Sequence, residues 1–511
     1  MNVFKRPVVA ASNMANPTWA ELREMARIEE TTTVFGSPRY ISRIRSRSAK
    51  FTDIVYDEPT PEMVETINNV MDSLRTERVI RLDRMMCLTP EDAYGHKRLH
   101  CRFYVLQDFA RIAYMWGQTL FDLPPDRVDE EPDLTTIMVP KWRGKTRERW
   151  VLVDPHSFTT FVLGSDYMGE IKKSFLRMAM YHAKLRGMLG LHAGSKIIRV
   201  RDVRGRLVEK GVLLFGLSGT GKTTLTCHHH FLSGEEGVVI RQDDVVLMRP
   251  DAYCYGTEDN FYLKTDGLEP ESQPLLYRAC TQPHAMLENV WVNPDGTVDF
   301  DDGTLTTNGR AIAFRRDMVY TDGEIDLPCA HIMVFITRSE TIVPPVAKLS
   351  PEQAGAFFML GESIETSAGD PAKAGQSVRC VGTNPFIIGP ESDEGNIFMN
   401  FLRANPQVEC FVMNTGMVGK KPGQSGEKIR IVDSTEIIKQ IARGGIEWET
   451  DPDWGYLIPK HVDGMDISHL DPRRYYTAEE YHERVQALRA ERVAWLRRFE
   501  GLDEAILKTM E

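Results

Sequence analysis

Apolar and polar residues recur with two different spacings along this chain, and each spacing predicts a different kind of element. Helical spacing dominates the start, as in EMVETINNVMDSLRTERV, and two strand-like segments follow, RERWVLVDP and TTFVLG. Further along, short apolar segments alternate with turns, as in GVLLFG, GVVIRQDD, HIMVFITR and VECFVMNTG. Helical segments interleaved with short apolar strands predict an α/β fold.

A charged, glycine-punctuated segment, Arg199–Gly211 (RVRDVRGRLVEKG), is typical of a connection between domains. We therefore predict an N-terminal domain with mixed strands over residues 1–205 and a C-terminal domain over residues 206–511. Residues 361–375 (GESIETSAGDPAKAG) are small, polar and poor in apolar side chains. That composition is typical of a mobile surface loop, and we expect a lid there.

Composition and charge narrow the class of protein. The chain has 511 residues, 42% hydrophobic and 26% charged, as expected for a globular protein of about two or three domains. Its net charge of −11 argues against nucleic acid or an anionic membrane as the main partner. No apolar run reaches the roughly 18 residues of a membrane helix, and the N-terminus has too little apolar sequence for a signal peptide. The eight cysteines are scattered without a CxxC pair, which predicts free thiols in a reducing cytoplasm.

One short stretch, GLSGTGKT at Gly216–Thr223, fits the phosphate-loop pattern G-x-x-x-x-G-K-[ST] and follows an apolar strand. Its glycines let backbone N–H groups close around phosphate oxygens, and the start of the following helix adds partial positive charge. Lys222 would reach the β and γ phosphates, and the Thr223 hydroxyl would meet the metal. A chance glycine-rich turn is the alternative, and the strand in front of the loop argues against it. The residues predicted to contact ATP here are Gly216, Leu217, Ser218, Gly219, Thr220, Gly221, Lys222, Thr223 and Thr224.

A second strand, GVVIRQDD, ends in Asp243 and Asp244. A carboxylate at a strand end beside a phosphate loop is where a nucleotide-bound divalent metal is held, so we predict a metal site there. Acidic pairs are also common on protein surfaces, which is the alternative. A phosphate loop fits ATPases, kinases, GTPases and nucleotide sensors alike, so other residues must decide the reaction.

Two adjacent lysines, Lys172 and Lys173, open a predicted helix in SDYMGEIKKSF. Cations are unfavourable at a helix N-terminus, so either the lysines are solvated or a nearby anion or metal site compensates for them. His192 follows an apolar pair in GLHAGSK. A lone histidine is more often structural than a ligand, and the residues alone leave both interpretations open.

Several segments, taken in order, resemble the ATP-dependent phosphoenolpyruvate carboxykinase family. GLSGTGKTTL resembles that family's phosphate loop, whereas the GTP-dependent relatives carry a cysteine-containing loop. YMGEIKKS resembles the family's Tyr-x-Gly-Glu-x-Lys-Lys element, LH resembles its metal histidine, and QDD lies where the family has Gly-Asp-Asp. MLENVWVNPDGTVDFDDGTLTTNGR, IVPPVAKLS and FVMNTG match further elements in the same order. The likeness covers nearly the whole chain.

The resemblance implies a two-lobed, carboxykinase-like α/β enzyme with an N-terminal substrate-binding domain and a C-terminal nucleotide-binding domain. Its reaction would convert oxaloacetate and ATP to phosphoenolpyruvate, carbon dioxide and ADP, a step of gluconeogenesis. A transition metal acts as a Lewis acid on the enolate that forms when carbon dioxide leaves. The family places that metal, Mn²⁺, on Lys173, His192 and Asp244, and Mg²⁺ accompanies ATP through Thr223. A lysine binds metal only when it is neutral, so nearby cations and burial must lower its pKa.

Carried over residue by residue, the resemblance assigns three groups of residues. The catalytic group comprises Lys173, Lys222 and Arg310. The substrate-binding group comprises Arg47, Tyr167, Lys172, Lys173 and Arg310. The nucleotide group adds to the phosphate loop Lys264, Glu288, Lys428, Ile429 and Ser434. Arginine suits a planar carboxylate substrate because its guanidinium presents a fork of donors.

The chain departs from the family's pattern in several loops. The family's Gly-Arg-Ser-Pro-Lys-Asp reads RSRSAKFT here, so the substrate arginine is Arg47 or, with a shifted register, Arg45. Ala-Gly-Ser-Lys replaces Cys-Ser-Ala-Asn after His192, and EDNFYLK lacks the family's glycine pair. Lys428 stands in place of an arginine, to which lysine is not equivalent when a base is stacked. CHHHF, directly after the phosphate loop, is also unusual, and we expect its histidines to lie on the surface of a helix, pointing in different directions.

Two main hypotheses follow. The first is a carboxykinase with altered loops, and the second is a carboxykinase-like kinase that phosphorylates a different small acid or a protein hydroxyl. A nucleotide sensor without turnover is a third, and Tyr167, the lysine pair and His192 argue against it, because a sensor needs no enolate-stabilising metal. Arg310 and an arginine near position 47 favour the first hypothesis over the second.

Overall fold

The chain forms two compact units in the computed structural model, which describes residues 2–217, 219–364 and 376–511. The first unit comprises Met1–Arg186 and Thr257–Val319, and the second comprises Gly187–Gly256 and Tyr320–Glu511. The predicted mixed α/β architecture is confirmed. Most of the predicted lid and the predicted ATP contact Ser218 lie outside the described residues.

The first unit begins with a mixed sheet covered by helices. Its helices are α1 (Trp19–Ala26), α2 (Pro61–Leu74), α3 (Ala110–Gly117) and α4 (Met168–Lys184). Its strands are β1 (Ser12–Ala15), β2 (Thr31–Thr32), β3 (Pro38–Tyr40), β4 (Thr52–Ile54), β5 (Arg78–Met86), β6 (Leu99–Leu106), β7 (Phe121–Asp122), β8 (Leu134–Val139), β9 (Trp150–Asp154) and β10 (Thr159–Leu163). The sheet runs in the order β1-β5-β6-β8-β10-β9-β4, with β7 paired to β5.

Helix α2 shows why the apolar spacing at the start of the chain produces this layer. Pro61 occupies the first helical position, and the Thr60 hydroxyl accepts a hydrogen bond from the Met63 amide, which starts the helix. Apolar residues at helical spacing then form one buried face. That face packs in one core cluster with Trp150 and Phe161 of the sheet.

The chain next enters the second unit and then returns to the first. The elements of the entry are β11 (Leu189–Leu191), β12 (Ala193–Arg201), β13 (Leu207–Gly216), α5 (Lys222–Cys227), β14 (Gly237–Gln242), β15 (Val246–Met248) and β16 (Cys254–Gly256). The elements of the return are β17 (Phe261–Lys264), α6 (Pro274–Cys280), β18 (Met286–Glu288), β19 (Trp291–Val292), β20 (Val298–Asp299) and β21 (Arg310–Ala313). The returning strands join the early strands in a sheet of order β17-β21-β18-β3-β2.

The remainder of the chain completes the second unit. Its strands are β22 (Ile332–Thr337), β23 (Val346–Leu349), β24 (Glu362–Ile364), β25 (Ser377–Arg379), β26 (Glu409–Asn414), β27 (Met417–Val418), β28 (Glu427–Lys428), β29 (Ile446–Thr450) and β30 (Leu457–Val462). Its helices are α7 (Pro351–Leu360), α8 (Glu391–Ala404), α9 (Ile431–Arg443), α10 (Ala478–Leu496) and α11 (Glu504–Lys508). The main sheet runs in the order β14-β12-β13-β22-β26-β23-β30-β29 and has parallel and antiparallel pairs.

The observed division of the chain differs from the predicted boundary at residue 205. β12 and β13 pair antiparallel on either side of a tight turn, in which Gly205 has φ 77°. The charged, glycine-containing segment is therefore a hairpin inside the second unit, because a hairpin turn and a linker draw on the same residue types. The predicted C-terminal domain includes residues 257–319, but in the structure these residues belong to the first unit, where β18 pairs with β3.

The first unit contains a buried histidine that should make its stability depend on pH. Burial, helped by the charge of Arg186, lowers the pKa of His182 to about 4. The unfolded chain therefore binds a proton that the folded chain excludes as the pH falls from 6.5 towards 4, and up to about 3 kcal/mol of stability is lost over that range. We expect His182→Phe, which keeps the ring packed against Phe158, to flatten this part of a plot of unfolding free energy against pH. Equal slopes in the two proteins would contradict the assignment.

Candidate active site

The strand, loop and helix around the predicted phosphate loop lie where the sequence places them. β13 is an interior strand, and Val212–Phe215 are fully buried, which anchors the loop to the core. Gly216 ends the strand, and a Cβ added there would lie 2.5 Å from Thr220 Oγ1. Gly221 has φ 95°, in the left-handed region that favours glycine, and α5 begins at the next residue, Lys222.

Hydrogen bonds hold the loop in its conformation. The Thr220 hydroxyl donates to the Leu217 carbonyl at 2.8 Å, and the Thr415 hydroxyl donates to the Thr220 carbonyl at 2.8 Å. Arg338 Nη1 donates to the Gly219 carbonyl at 3.2 Å. These contacts fix the loop without help from a ligand, which is the pre-organisation that an anion site requires. Sequence reasoning did not single out Thr415 or Arg338, because each directly follows a strand that is distant in the chain.

Three predicted site residues converge beside the loop within the second unit. Lys222 Nζ lies 3.3 Å from His192 Nε2 and 3.5 Å from Asp244 Oδ1. His192 Nε2 lies 3.0 Å from Asp244 Oδ1. The side chains are 11–13% exposed, so water screens their interactions only weakly. The structure thus places His192, which the residues alone left open, against two other predicted site residues.

The donor set of His192 and Asp244 fits a divalent metal. His192 Nδ1 lies 2.7 Å from the Thr383 carbonyl. Because a carbonyl only accepts, Nδ1 carries a proton, and a neutral ring is left with Nε2 as its metal-binding nitrogen. Imidazole nitrogen and carboxylate oxygen both bind divalent metals. Among the described residues, no group of three or more His, Cys, Asp or Glu side chains is arranged to hold a metal, so a fuller set needs another kind of ligand, such as the predicted Lys173.

The adjacent lysines of α4 lie in the first unit, and one of them has a buried anionic partner. Lys172 Nζ lies 2.8 Å from Glu258 Oε2, and both side chains are at most 3% exposed. Of the two alternatives that the sequence left open for these cations, compensation by an anion holds for Lys172. Removing Glu258 would leave a buried ammonium without this partner, which is strongly destabilising. Lys173 is partly exposed, and its place among the metal ligands stays a prediction.

Arg310 and Tyr167 belong to one hydrogen-bonded group in the first unit. Asn308 joins them, because its Oδ1 accepts from Arg310 Nη2 at 2.7 Å and its Nδ2 donates to Tyr167 Oη at 3.2 Å. The Arg310 guanidinium lies 5.5 Å from the centre of the Tyr262 ring, a cation–π arrangement. Sequence reasoning missed Asn308 and Tyr262, whose only signals were their places in NGR and EDNFYLK.

Lys264, Arg310 and Glu288 form a row across three strands of the first unit. Arg310 in β21 is paired with Lys264 in β17 and with Glu288 in β18, and directly paired residues face the same side of a sheet. Glu288 is fully buried, with Oε1 accepting from the Met168 amide at 2.9 Å and Oε2 from Tyr262 Oη at 2.8 Å. Burial raises the pKa of the Glu288 carboxyl. These bonds order the start of α4, and the nucleotide roles of Lys264 and Glu288 stay predictions.

Two carboxylates fix the loop that carries the candidate substrate arginines. Asp166 accepts from the backbone amides of Arg43 and Ile44 at 2.8 and 2.9 Å. Glu170 Oε2 accepts from the Ser48 amide at 2.6 Å. Glu170 belongs to the YMGEIKKS element, so that element positions the arginine loop as well as supplying the lysine pair.

Arg45 and Arg47 lie on the same loop but differ in exposure, because Arg45 is partly buried and Arg47 is exposed. Arg45 Nη1 donates to the Leu305 carbonyl at 2.7 Å, and its Nε donates to the Ser42 carbonyl at 3.3 Å. The assignment of Arg47, or with a shifted register Arg45, as the substrate arginine stays a prediction.

The residues predicted for the adenine pocket lie at and before the start of α9. Lys428 is exposed on β28, where it pairs with Met417 of β27. Ile429 and Ser434 are buried. Contact of these three residues with a base stays a prediction.

The histidines after the phosphate loop do not lie on a helix, so that expectation is wrong. α5 ends at Cys227, and the three histidines follow it. His230 is 1% exposed, and its Nδ1 lies 2.8 Å from the Thr435 carbonyl. The chain turns inward after α5, so His230 is an interior residue rather than a surface one.

The sequence of this chain is similar to those of known proteins over most of its length. Residues 13–468 match the protein family described as phosphoenolpyruvate carboxykinase. A relative from Aeropyrum pernix, named "Phosphoenolpyruvate carboxykinase (ATP)", is 41% identical over 405 residues, 79% of this chain and 78% of the relative. This chain belongs to the ATP-dependent phosphoenolpyruvate carboxykinase family.

More distant carboxykinases of the same name have also been matched. The relative from Chelativorans sp. is 29% identical over 70% of this chain, and the one from Mesorhizobium japonicum is 28% identical over 70%. This chain covers 62% and 65% of the length of those two carboxykinases. None of the helices in the described ranges is both long and apolar enough to cross a membrane.

Two departures of this chain from the carboxykinase pattern can be located in the structure. EDNFYLK lacks the family's glycine pair, yet it supplies Glu258 to the buried pair with Lys172 and Tyr262 to the group around Arg310. Lys428, the substitute for an arginine, is exposed on a short strand.

Proposed function

We propose that this protein converts oxaloacetate and ATP to phosphoenolpyruvate, carbon dioxide and ADP. The observation that carries the proposal is the convergence of Lys222, His192 and Asp244 within 3.5 Å beside a phosphate-loop sequence in a chain of this family. The named relatives support this activity and give no support to a kinase of a different small acid or of a protein hydroxyl. A nucleotide sensor would have no use for residues that fit an enolate-stabilising metal.

Residues of the second unit would hold ATP. The backbone of the glycine-rich loop would surround the phosphates, and Lys222 would stabilise the negative charge that spreads over the transferred phosphoryl group. Thr223, at the start of α5, would hold the Mg²⁺ that accompanies ATP. The hydrogen bonds from Thr415 and Arg338 support this role, because a loop that is already fixed loses little entropy when it binds phosphate.

Residues of the first unit would hold oxaloacetate. Asn308 restrains one nitrogen of the Arg310 guanidinium, and such a restrained fork suits a planar carboxylate. Tyr167 is joined to the same asparagine and would contact the substrate beside Arg310. Arg47 would add a second guanidinium from the loop that Glu170 anchors. Two oriented cations would fix the substrate before carbon dioxide leaves.

We propose Mn²⁺ as the metal at His192 and Asp244, with Lys173 as the ligand that the resemblance adds. When bound, the metal supplies Lewis-acid stabilisation of the enolate oxygen. The bond from His192 Nδ1 to Thr383 keeps Nε2 directed at Asp244, so the protein orients this donor pair in advance. We also propose the cytoplasm as the compartment, because all eight cysteines are free thiols.

A coupled assay tests the proposed function. Purified protein is supplied with ATP, Mg²⁺ and Mn²⁺, and ADP formation is measured with oxaloacetate or with a panel of other small acids and protein substrates. We expect ADP and phosphoenolpyruvate to form in equal amounts only with oxaloacetate. Phosphorylation of another acceptor, with no ADP formed from oxaloacetate, would replace this function with the kinase hypothesis.

The nucleotide preference is a separate prediction. The cysteine-free GLSGTGKTTL loop predicts ATP as the donor, and discrimination between bases depends on contacts in the base pocket. We expect kcat/KM for ATP to exceed that for GTP by about tenfold or more. Measuring both constants under the same conditions decides the matter, and a clear preference for GTP would show the prediction wrong.

A further inference from the structure

A fully buried lysine lies against the helix that follows the phosphate loop. Lys196 is in β12 and is 0% exposed. Its Nζ donates to the Leu225 carbonyl, to the His228 carbonyl at 3.4 Å and to His230 Nε2 at 2.5 Å. An ammonium has three N–H donors, and here each has an acceptor. Among the described residues, none of these acceptors is a carboxylate, and burial lowers the pKa of Lys196 to about 7.

His230 also contacts a second helix, α9. Its Nδ1 lies 2.8 Å from the Thr435 carbonyl of α9, so Nδ1 carries a proton and donates it. Its Nε2 is then the acceptor for Lys196. Burial, with the charge of Lys196 adding to it, holds the pKa of His230 well below its ordinary value, so the ring is neutral, as this arrangement requires. Lys196, His230 and Thr435 therefore form one hydrogen-bonded chain from β12 to α9.

Three alternate residues of one chain segment contact α5 along its length. His192, Gly194 and Lys196 alternate along an extended segment and so face the same side. His192 meets Lys222 at the first residue of α5, and Lys196 binds the Leu225 carbonyl near its last residue. A Cβ at Gly194 would lie 2.2 Å from the Thr226 hydroxyl oxygen, so strand and helix are also in close contact at Thr226.

The backbone beside this chain of bonds adopts an unfavourable conformation. His230 and Phe231 have φ 55° and 54°, in the left-handed region that side chains of this kind rarely occupy. The turn directs His230 inward, whereas Phe231 is 62% exposed. Two successive residues of this conformation persist only where interior contacts hold them, and the bonds of His230 to Lys196 and Thr435 are such contacts.

We propose that Lys196 and His230 act together as positioning residues of the nucleotide site. They hold the C-terminal end of α5 and couple it to α9, and this fixes the helix whose first residue, Lys222, would contact phosphate. α9 also contains Ser434, one of the residues predicted for the adenine pocket, so the pair connects the phosphate end of the site with the base end. The inference rests on the proposed nucleotide site and adds to it two residues from segments that depart from the family's pattern.

Direct measurement of ATP affinity tests the inference without requiring turnover. Binding of ATP with Mg²⁺ is measured by calorimetry for the wild type, Lys196→Met, His230→Leu and the double variant. We expect each single variant to bind ATP roughly tenfold more weakly, since coupling through packed positioning groups has about this magnitude. The double variant should bind no more weakly than the worse single variant, because both residues act through one chain of bonds. In steady-state assays, KM for ATP should rise while KM for oxaloacetate stays within about twofold.

Two further variants separate positioning from general stability. His230→Gln offers an amide oxygen to Lys196 and should retain most of the ATP affinity that His230→Leu loses. His229→Leu is the matched control, because the His229 ring contacts the Phe231 amide and not Lys196, and it should bind ATP as the wild type does. If Lys196→Met does not fold, the difference in ATP affinity between His230→Leu and His230→Gln tests the inference on its own.

Specific results would overturn the inference. Folded single variants with wild-type ATP affinity, equal losses in His230→Leu and His230→Gln, or losses that multiply in the double variant would each do so. A wild type that binds no ATP would also overturn it, together with the nucleotide site. A wild type that binds ATP but does not use oxaloacetate would contradict only the proposed function and would leave this test intact.

Discussion

Replacing Lys222 with alanine will lower kcat for oxaloacetate-dependent ADP formation by about a hundredfold to a thousandfold, with the fold intact. Groups that stabilise charge developing on a transferred phosphoryl group are typically worth several kcal/mol, or about 3 to 4 kcal/mol per donor. Lys222 is the one residue of this chain that is proposed for both the phosphate loop and the converging group, with His192 and Asp244 within 3.5 Å of its Nζ. Asp244→Asn, which keeps the shape and removes the charge, should cause a loss of similar size.

A matched control distinguishes this effect from the loss of any lysine in the same element. Lys210 lies in β13, the strand that leads into the loop, six residues before Gly216, and it is partly exposed. Lys210→Ala should keep kcat within about twofold of the wild type, as surface changes usually do. Thermal unfolding of all the variants shows whether the fold is intact. Near-normal turnover in either Lys222→Ala or Asp244→Asn would remove the proposed phosphoryl-transfer mechanism.

The second large effect concerns the organic substrate. Arg310→Lys keeps the positive charge but removes the fork of donors and the bond from Nη2 to Asn308. Because positioning of a substrate supplies many kcal/mol of barrier reduction, we expect kcat/KM for oxaloacetate to fall by about a hundredfold to ten-thousandfold. Slow hydrolysis of ATP without an acceptor should persist, since the phosphate loop lies in the second unit and is unchanged. Arg47→Lys should act in the same direction but more weakly.

Arg316→Lys is the control for this substitution. Arg316 follows the strand that carries Arg310, and its side chain is 65% exposed, so its replacement should leave kcat/KM unchanged. If Arg310→Lys and Arg316→Lys both keep wild-type kcat/KM, Arg310 does not bind oxaloacetate. If the wild type itself forms no ADP from oxaloacetate with Mn²⁺ present, the carboxykinase function fails, and the kinase hypothesis becomes the better one.

The parts of this protein that the sequence predicted well are those that obey local rules. The local structure around GLSGTGKT was predictable because a strand, a glycine-rich turn and a helix are consecutive, and Gly221 does adopt the left-handed conformation that its position demands. The face of α2 was predictable because its apolar residues recur at helical spacing. The family could be recognised because its motifs occur in a fixed order along the chain.

Prediction from local sequence failed where the composition of a segment is compatible with two different structures. The charged segment that contains Gly205 forms the turn between β12 and β13, although its residue types are equally common in linkers between domains. The histidines after α5 were expected on a helix, but the chain leaves the helix at His228 and buries His230. The turn depended on the pairing of β12 with β13, and the burial of His230 depended on α9, which is remote in sequence.

By itself, the sequence determined the family and the strand, glycine-rich turn and helix around Gly216–Thr223, and it proposed the site residues. The tertiary structure decided which partner each of these residues has: Glu258 for Lys172, Asn308 for Arg310 and Thr383 for His192. It also placed residues 257–319 in the first unit and brought Lys196 to His230. The physical reason is that a motif records contacts between near neighbours in the chain, whereas a buried charge must find its counterpart wherever the fold places one.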